Sequence, residues 1–186
     1  MRPLALWTGR AGHPRHRWLR RAVEKRLREE LAKLHLEVNE EKTRVVDLAK
    51  GESFGFLGFD FRRVRSRAGR WMPLRMPQLA KRTALLRKLK VCFRGLRSQP
   101  IHRVIEVINP ILRGWVRYFA VGHSSRCFSF ICNWVEHKDR RHLARARMRQ
   151  GFGWKRWSRT WLYEALRLFD DYRVRHPGAR TKAAPA

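Results

Sequence analysis

Apolar residues recur at helical spacing along most of this chain and cluster at strand spacing in one short stretch. Residues His16 to Leu34 carry Leu19, Val23, Leu27, Leu31 and Leu34 on one stripe, which predicts an amphipathic helix. Two short β-like runs follow, Leu34 to Val38 and Arg44 to Leu48, with the polar turn Asn39 to Thr43 between them. The aromatic density of Phe54 to Phe61 favours a strand, and Gly55 and Gly58 suggest a bulge or a close backbone approach. Ser66 to Gly69 reads as a turn. Arg70 to Met76 reads as a return strand that Pro73 confines to a sheet edge.

From Pro77 onward the period is helical. Leu79, Thr83, Leu86, Leu89, Phe93 and Leu96 mark one face of a helix whose opposite face is almost entirely Lys and Arg. Ile101, Val104, Ile105 and Ile108 mark the next. Asn109-Pro110 is an N-cap and first-turn signal, so a new helix or a kink is expected there, with Ile111, Leu112, Trp115 and Phe119 as its stripe. A further helix spans about Ser124 to Met148 and is broken by Gly151 and Gly153. A last one, near Arg159 to Arg173, is expected to bury Trp161, Leu162, Ala165, Leu166 and Phe169. The tail from Pro177 is expected to be disordered. The fold class that follows is α+β: a small antiparallel β part, then a mainly helical part.

Charge changes the picture more than composition does. The 186 residues hold 44 Lys+Arg against 15 Asp+Glu, a formal net charge of +29. Such self-repulsion is relieved by a polyanion, and nucleic acid is the commonest one. Arg outnumbers Lys 34 to 10, and the planar guanidinium grips phosphate bidentately and stacks on bases. Between Asp60 and Glu106 there is no acidic residue and 14 are basic, whereas a merely solvated surface mixes signs. No apolar run reaches the roughly 18 residues of a membrane span, and Met1 to Trp7 is too short for a signal peptide. Cys92, Cys127 and Cys132 make no disulfide framework, so a reducing, cytoplasmic setting is expected.

Three blocks, in order, resemble the C-terminal part of group II intron reverse transcriptase/maturase proteins. Leu36 to Val46, with Asn39 and Lys42 in its turn, resembles the palm hairpin that follows the polymerase active site. Phe54-Gly55-Phe56-Leu57-Gly58-Phe59 resembles the primer-grip block. Ile108-Asn109-Pro110-Ile111-Leu112-Arg113-Gly114-Trp115-Val116-Arg117-Tyr118-Phe119 resembles the signature of the maturase, or thumb, domain. The resemblance covers roughly residues 20 to 172. It implies a truncated reverse-transcriptase palm remnant at 1–76, a maturase-specific helical domain at 77–176 and a disordered tail at 177–186.

The resemblance implies binding of group II intron RNA and assistance to its folding and splicing, with RNA supplying the chemistry. Reverse transcriptases hold two metals on paired aspartates. Residues 1 to 35 contain no aspartate, and Asp170-Asp171 come in the wrong order and place. The chain alone is therefore expected not to be an enzyme, and to have no cofactor. RNA is the expected partner, DNA a second, and a separate chain could supply the palm. No membrane partner is expected. A nonspecific basic nucleic-acid-binding protein and a non-functional remnant of a mobile element are the alternatives.

The expected RNA contacts are Lys42 in the palm-like turn, where phosphate is the expected partner; Lys81, Arg82, Arg87, Lys88 and Arg94 on the first basic helix; Arg113, Arg117 and Tyr118 in the third block; Arg141 and Arg145, in a second run that also includes Arg140; and Lys155 and Arg156, between Trp154 and Trp157. Phe56, Leu57 and Phe59 read as core rather than as stacking surfaces, and Gly58 as a site of close approach. Gly114 costs helix stability, which close packing against a helix or RNA would explain. His123, Cys127, Cys132 and His137 have the look of a zinc set. On a continuous helix, however, Cys132 points away from the others, so no metal is expected.

Overall fold

A computed structural model describes residues 17–36, 39, 46–148, 151 and 153–175. The chain divides into two compact units, Met1–Arg75 and Met76–Ala186. The architecture is α+β, a three-stranded antiparallel sheet followed mostly by helices.

In the first unit, helix α1 runs Arg17–Lys33. Its charges pair along the helix: Arg26 meets Glu30 at 2.8 Å and Lys33 meets Glu30 at 3.0 Å. Val23, Leu27 and Leu31 are only half-buried. The second β-like run is replaced, where described, by a turn of 3₁₀ helix at Leu48–Lys50. Asp47 causes the change, because its Oδ1 accepts from the Ala49 amide at 2.9 Å and Gly51 closes the turn at φ 84°. Of the first run, Leu34 and His35 form a turn with His35 at φ 54°. Lys42 lies outside the described residues.

The aromatic block folds as a hairpin rather than one bulged strand. Strand β1 is Ser53–Phe56 and β2 is Phe59–Arg65, with Phe54 opposite Phe61 and Phe56 opposite Phe59. Leu57 and Gly58 make the two-residue connection, both at positive φ (49° and 79°), as tight hairpins require. Gly58 therefore serves the turn. Leu57 is exposed, contrary to a core reading, while Phe59 is buried. Strand β3, Trp71–Pro77, is an edge strand in the order β1-β2-β3 and contains Pro73.

The second unit is built from α2 (Leu79–Gly95), α3 (Ile101–Phe119), α4 (Ser125–Ala146) and the short α5 (Arg159–Glu164). α3 is a single helix with Pro110 inside it. Its buried stripe is Ile101, Val104, Ile105, Ile108, Leu112, Val116 and Phe119. Leu89 from α2 and Phe128, Ile131 and Val135 from α4 are buried with essentially no exposure. Each such side chain contributes about 1.5–3 kcal/mol relative to exposure. The buried face of α2 is Leu85, Leu89 and Phe93, an i, i+4 ladder; Leu79 is exposed and Leu86 half-buried, so the face is rotated from the one expected.

Asn109 is not an N-cap. Its side chain leaves α3 to clamp the chain 58–60 residues later: Nδ2 donates to the Arg167 carbonyl at 2.8 Å, and Oδ1 accepts from the Phe169 amide at 2.9 Å. This explains why the last helix is short. Arg167 adopts φ 53°, incompatible with a continuing helix, and residues 167–175 run as irregular chain held to α3. Leu166, Leu168 and Phe169 are buried there.

Candidate nucleic-acid interface

The second unit places cations on α4 in two opposite settings. On one side, Lys138, Arg141 and Arg145 occupy about 60° of the helix circumference at 100° per residue. Arg141 and Arg145 are exposed and Lys138 half-buried. α2 packs alongside, and the Phe93 ring meets Trp134 edge-on, centroids 6.4 Å apart. Lys138 lies over that same Trp134, 5.1 Å from its centroid. The packing brings Lys90 and Arg94 of α2 within electrostatic reach of Lys138 on α4. Burial, and then Arg141, Lys90, Arg145 and Arg94 in that order, push the Lys138 ammonium below its ordinary pKa. α2 contains no acidic residue, and both carboxylates of α4, Glu136 and Asp139, are buried. Five cations thus form a seam between α2 and α4 in a segment whose carboxylates are buried away from it.

On the other side, the cations are consumed. Arg140, expected to join the exposed basic run, is only 2% exposed. Its Nη1 meets Glu136 at 3.3 Å, its Nε donates to the Trp157 carbonyl at 2.9 Å, and its guanidinium lies 4.2 Å from the Trp154 ring centroid. Arg159 Nε donates to Glu136 at 2.6 Å, and the Tyr163 hydroxyl donates to the same oxygen at 2.7 Å. Burial alone would raise the Glu136 pKa, but the hydrogen bonds from Tyr163 and Arg159 hold it below the usual carboxylate value. The bond to Glu136 raises the Arg159 pKa, and burial raises that of Tyr163. Burial also raises the Cys132 thiol, which keeps it protonated beside Glu136 and Tyr163. Asp139, in the same interior, has no hydrogen-bond partner on either oxygen among the described residues, and burial pushes its pKa well above the ordinary value.

The remaining expected contacts fall at separate places. Lys81, Arg87, Lys88 and Arg94 are exposed on α2, with Arg87 and Arg94 on the stripe that includes Lys90 and with Lys81 and Lys88 on the other flank of the buried face. Arg82 is instead half-buried, its guanidinium 4.3 Å from the Phe130 ring centroid, so it packs α2 onto α4. Arg113, Arg117 and Tyr118 are exposed on α3. Among the described residues, no heavy atom within 4 Å would meet a side chain at Gly114, so packing among them does not account for that glycine. Lys155 and Arg156 are exposed on a loop that Trp157, 2% exposed, anchors. Trp154 is half-exposed, edge-on to His137 at 4.8 Å. Phe56, Leu57, Gly58 and Phe59 sit in the hairpin of the first unit.

Sequence reasoning missed Lys138 as the centre of the seam, and Glu136, Arg159 and Tyr163 as a network. The spacing of Lys138, Arg141 and Arg145 (i, i+3, i+7) was the available signal for the first. The second had none, since its members lie 23–27 residues apart. Among the described residues, no group of His, Cys, Asp and Glu could hold a metal ion, and no helix is long and apolar enough to cross a membrane.

Comparison with known proteins bears on this same unit. Residues 82–163 match the family model described as group II intron, maturase-specific domain. No curated protein matches the chain. The match begins within α2 and ends within α5, and so spans the seam and the Glu136 network.

Proposed function

We propose that the chain, whose residues 82–163 match the family model described as group II intron, maturase-specific domain, has a maturase-type role: it binds group II intron RNA through the α2–α4 seam and assists intron folding and splicing. The observation that carries this reading is the convergence of Lys90, Arg94, Lys138, Arg141 and Arg145 with no exposed carboxylate on either helix. A protein that used these cations only for solubility would intersperse acids among them. Phosphate backbones supply the missing counter-charge, and each neutralised phosphate releases bound counterions.

The protein's contribution is positional. The matched domain is a non-catalytic one, and RNA carries the splicing chemistry. A rigid basic face holds RNA segments in one arrangement by lowering their mutual repulsion. Exposed Arg113, Arg117 and Tyr118 on α3, and Lys155 and Arg156 on the loop after α4, extend the surface that a large folded RNA touches.

The test is competition binding at near-physiological salt, with a folded group II intron RNA against length-matched unrelated RNA and duplex DNA. A preference for the intron of about tenfold or more, roughly 1.4 kcal/mol, is the expected result. Equal binding to all three would leave only charge, and a nonspecific polyanion binder or a decayed remnant would then be the better description.

A further inference from the structure

An open cleft of about 460 Å³ lies on the Glu136 side of α4, lined by Asn133, Arg159, Tyr163, Asp170 and Tyr172 among others. Its size is that of a small-molecule or nucleotide site. Its walls are fixed rather than adaptable. Arg159 is held by Glu136 at 2.6 Å and by Asn133 Oδ1 at 3.1 Å, and Tyr163 by Glu136 at 2.7 Å. Asp170 follows directly on Phe169, whose amide Asn109 clamps, and its carbonyl accepts from the Tyr172 amide at 2.8 Å.

One lining group has unused capacity. The Asp170 carboxylate is exposed, and no ion pair engages it among the described residues, although the chain is strongly cationic. The cleft therefore offers planar groups for stacking (Arg159, Tyr163), one carboxylate acceptor, and donors from a guanidinium.

We propose that this cleft takes one unpaired nucleobase of bound RNA, with guanine preferred. Guanine presents two adjacent N–H donors, N1 and N2, that a carboxylate accepts side by side, and an O6 that accepts from a guanidinium. Adenine and cytosine carry an acceptor where guanine carries its N1–H. Uracil flanks its single N–H with two carbonyls that repel a carboxylate. The seam, which lacks any such acceptor, grips backbone, while the cleft reads a base. The inference rests on the reading of the chain as an RNA-binding protein.

The test measures binding of the whole chain to a short oligouridylate, and to the same strand with one central guanosine or one central adenosine. The guanosine strand is expected to bind about tenfold tighter than the other two. Asp170→Asn is expected to bring that ratio to within about twofold, without weakening oligouridylate binding or lowering Tm. The ratio is the readout because removing a negative charge strengthens binding to every strand alike. Equal binding to all three strands, or a guanosine preference that survives Asp170→Asn, overturns the cleft proposal alone. Failure to bind any strand overturns the RNA-binding reading beneath it.

Discussion

The two sides of helix α4 hold the same kinds of side chain for different ends. Arg140 and Arg141 are neighbours in sequence. Arg140 is buried against Glu136, the Trp157 carbonyl and the Trp154 ring, while Arg141 is exposed in a seam of like charges. A run of arginines is therefore not one feature. A cation whose charge is satisfied inside the protein specifies packing; one whose charge is not satisfied specifies a partner. Pairing decides between them, and the fold decides pairing.

The sharpest way to break that comparison is to remove the carboxylate at the centre of the structural side. Glu136→Ala leaves Arg140 buried without its partner and is expected to cost about 3–5 kcal/mol, read as a fall in the denaturation midpoint with unchanged slope. A loss below about 1 kcal/mol would mean that the network is ornamental. Asn109→Ala comes next. It removes two tertiary hydrogen bonds, one to each side of Arg167–Phe169, and is expected to cost about 2–3 kcal/mol by the same measurement. The binding side is expected to behave in reverse. Arg94→Gln, Arg141→Gln and Arg145→Gln together are expected to shift stability by less than about 1 kcal/mol, yet weaken RNA binding by about thirtyfold, near 2 kcal/mol.

Two smaller effects sharpen the picture. Asp139 has its pKa raised by burial, so the folded state binds more protons than the unfolded one above the ordinary aspartate value of 3.8. Its contribution to stability is full below that value and is lost as pH rises through the folded pKa. Asp139→Asn cannot ionise, so its stability relative to the natural protein is expected to improve from pH 4 upward in parallel thermal melts. A constant difference across that range would place the Asp139 carboxyl in solvent contact. Gly114→Ala, at a helical position with open space beside it, is expected to stabilise by about 0.5–1 kcal/mol. Weaker RNA binding by this stabilised variant would locate RNA against that face of α3.

Much of the helical unit was legible because burial follows period. Most of the α3 stripe from Ile101 to Phe119 could be read directly, although Val116 is buried where Ile111 and Trp115, expected on the stripe, are half-buried; the basic character of α2 and the edge placement of Pro73 could be read as well. What was not legible depended on contacts distant in sequence. Asn109-Pro110 has the local form of a helix start, but the asparagine is committed to residues 58–60 positions away. The apolar spacing of the last helix continues to Arg173 and predicts a helix of that length. It stops because that clamp and the left-handed Arg167 hold the chain in another conformation. Leu57-Gly58 has the sequence context of a strand because its neighbours are aromatic, while two adjacent positive φ values make it a turn. Of the residues expected to contact RNA, Arg94, Arg141 and Arg145 come together in the seam, whereas Arg82 packs on Phe130. A cation's type is written in the sequence; its partner is not.

The most direct test of the seam is the salt dependence of intron RNA binding, measured for the natural chain and for the Arg94→Gln, Arg141→Gln, Arg145→Gln variant. Three lost phosphate contacts are expected to lower the slope of log affinity against log salt by about 2, at roughly 0.7 per contact for single-stranded segments. An unchanged slope, with binding intact, would show that RNA does not touch the seam and would contradict the account.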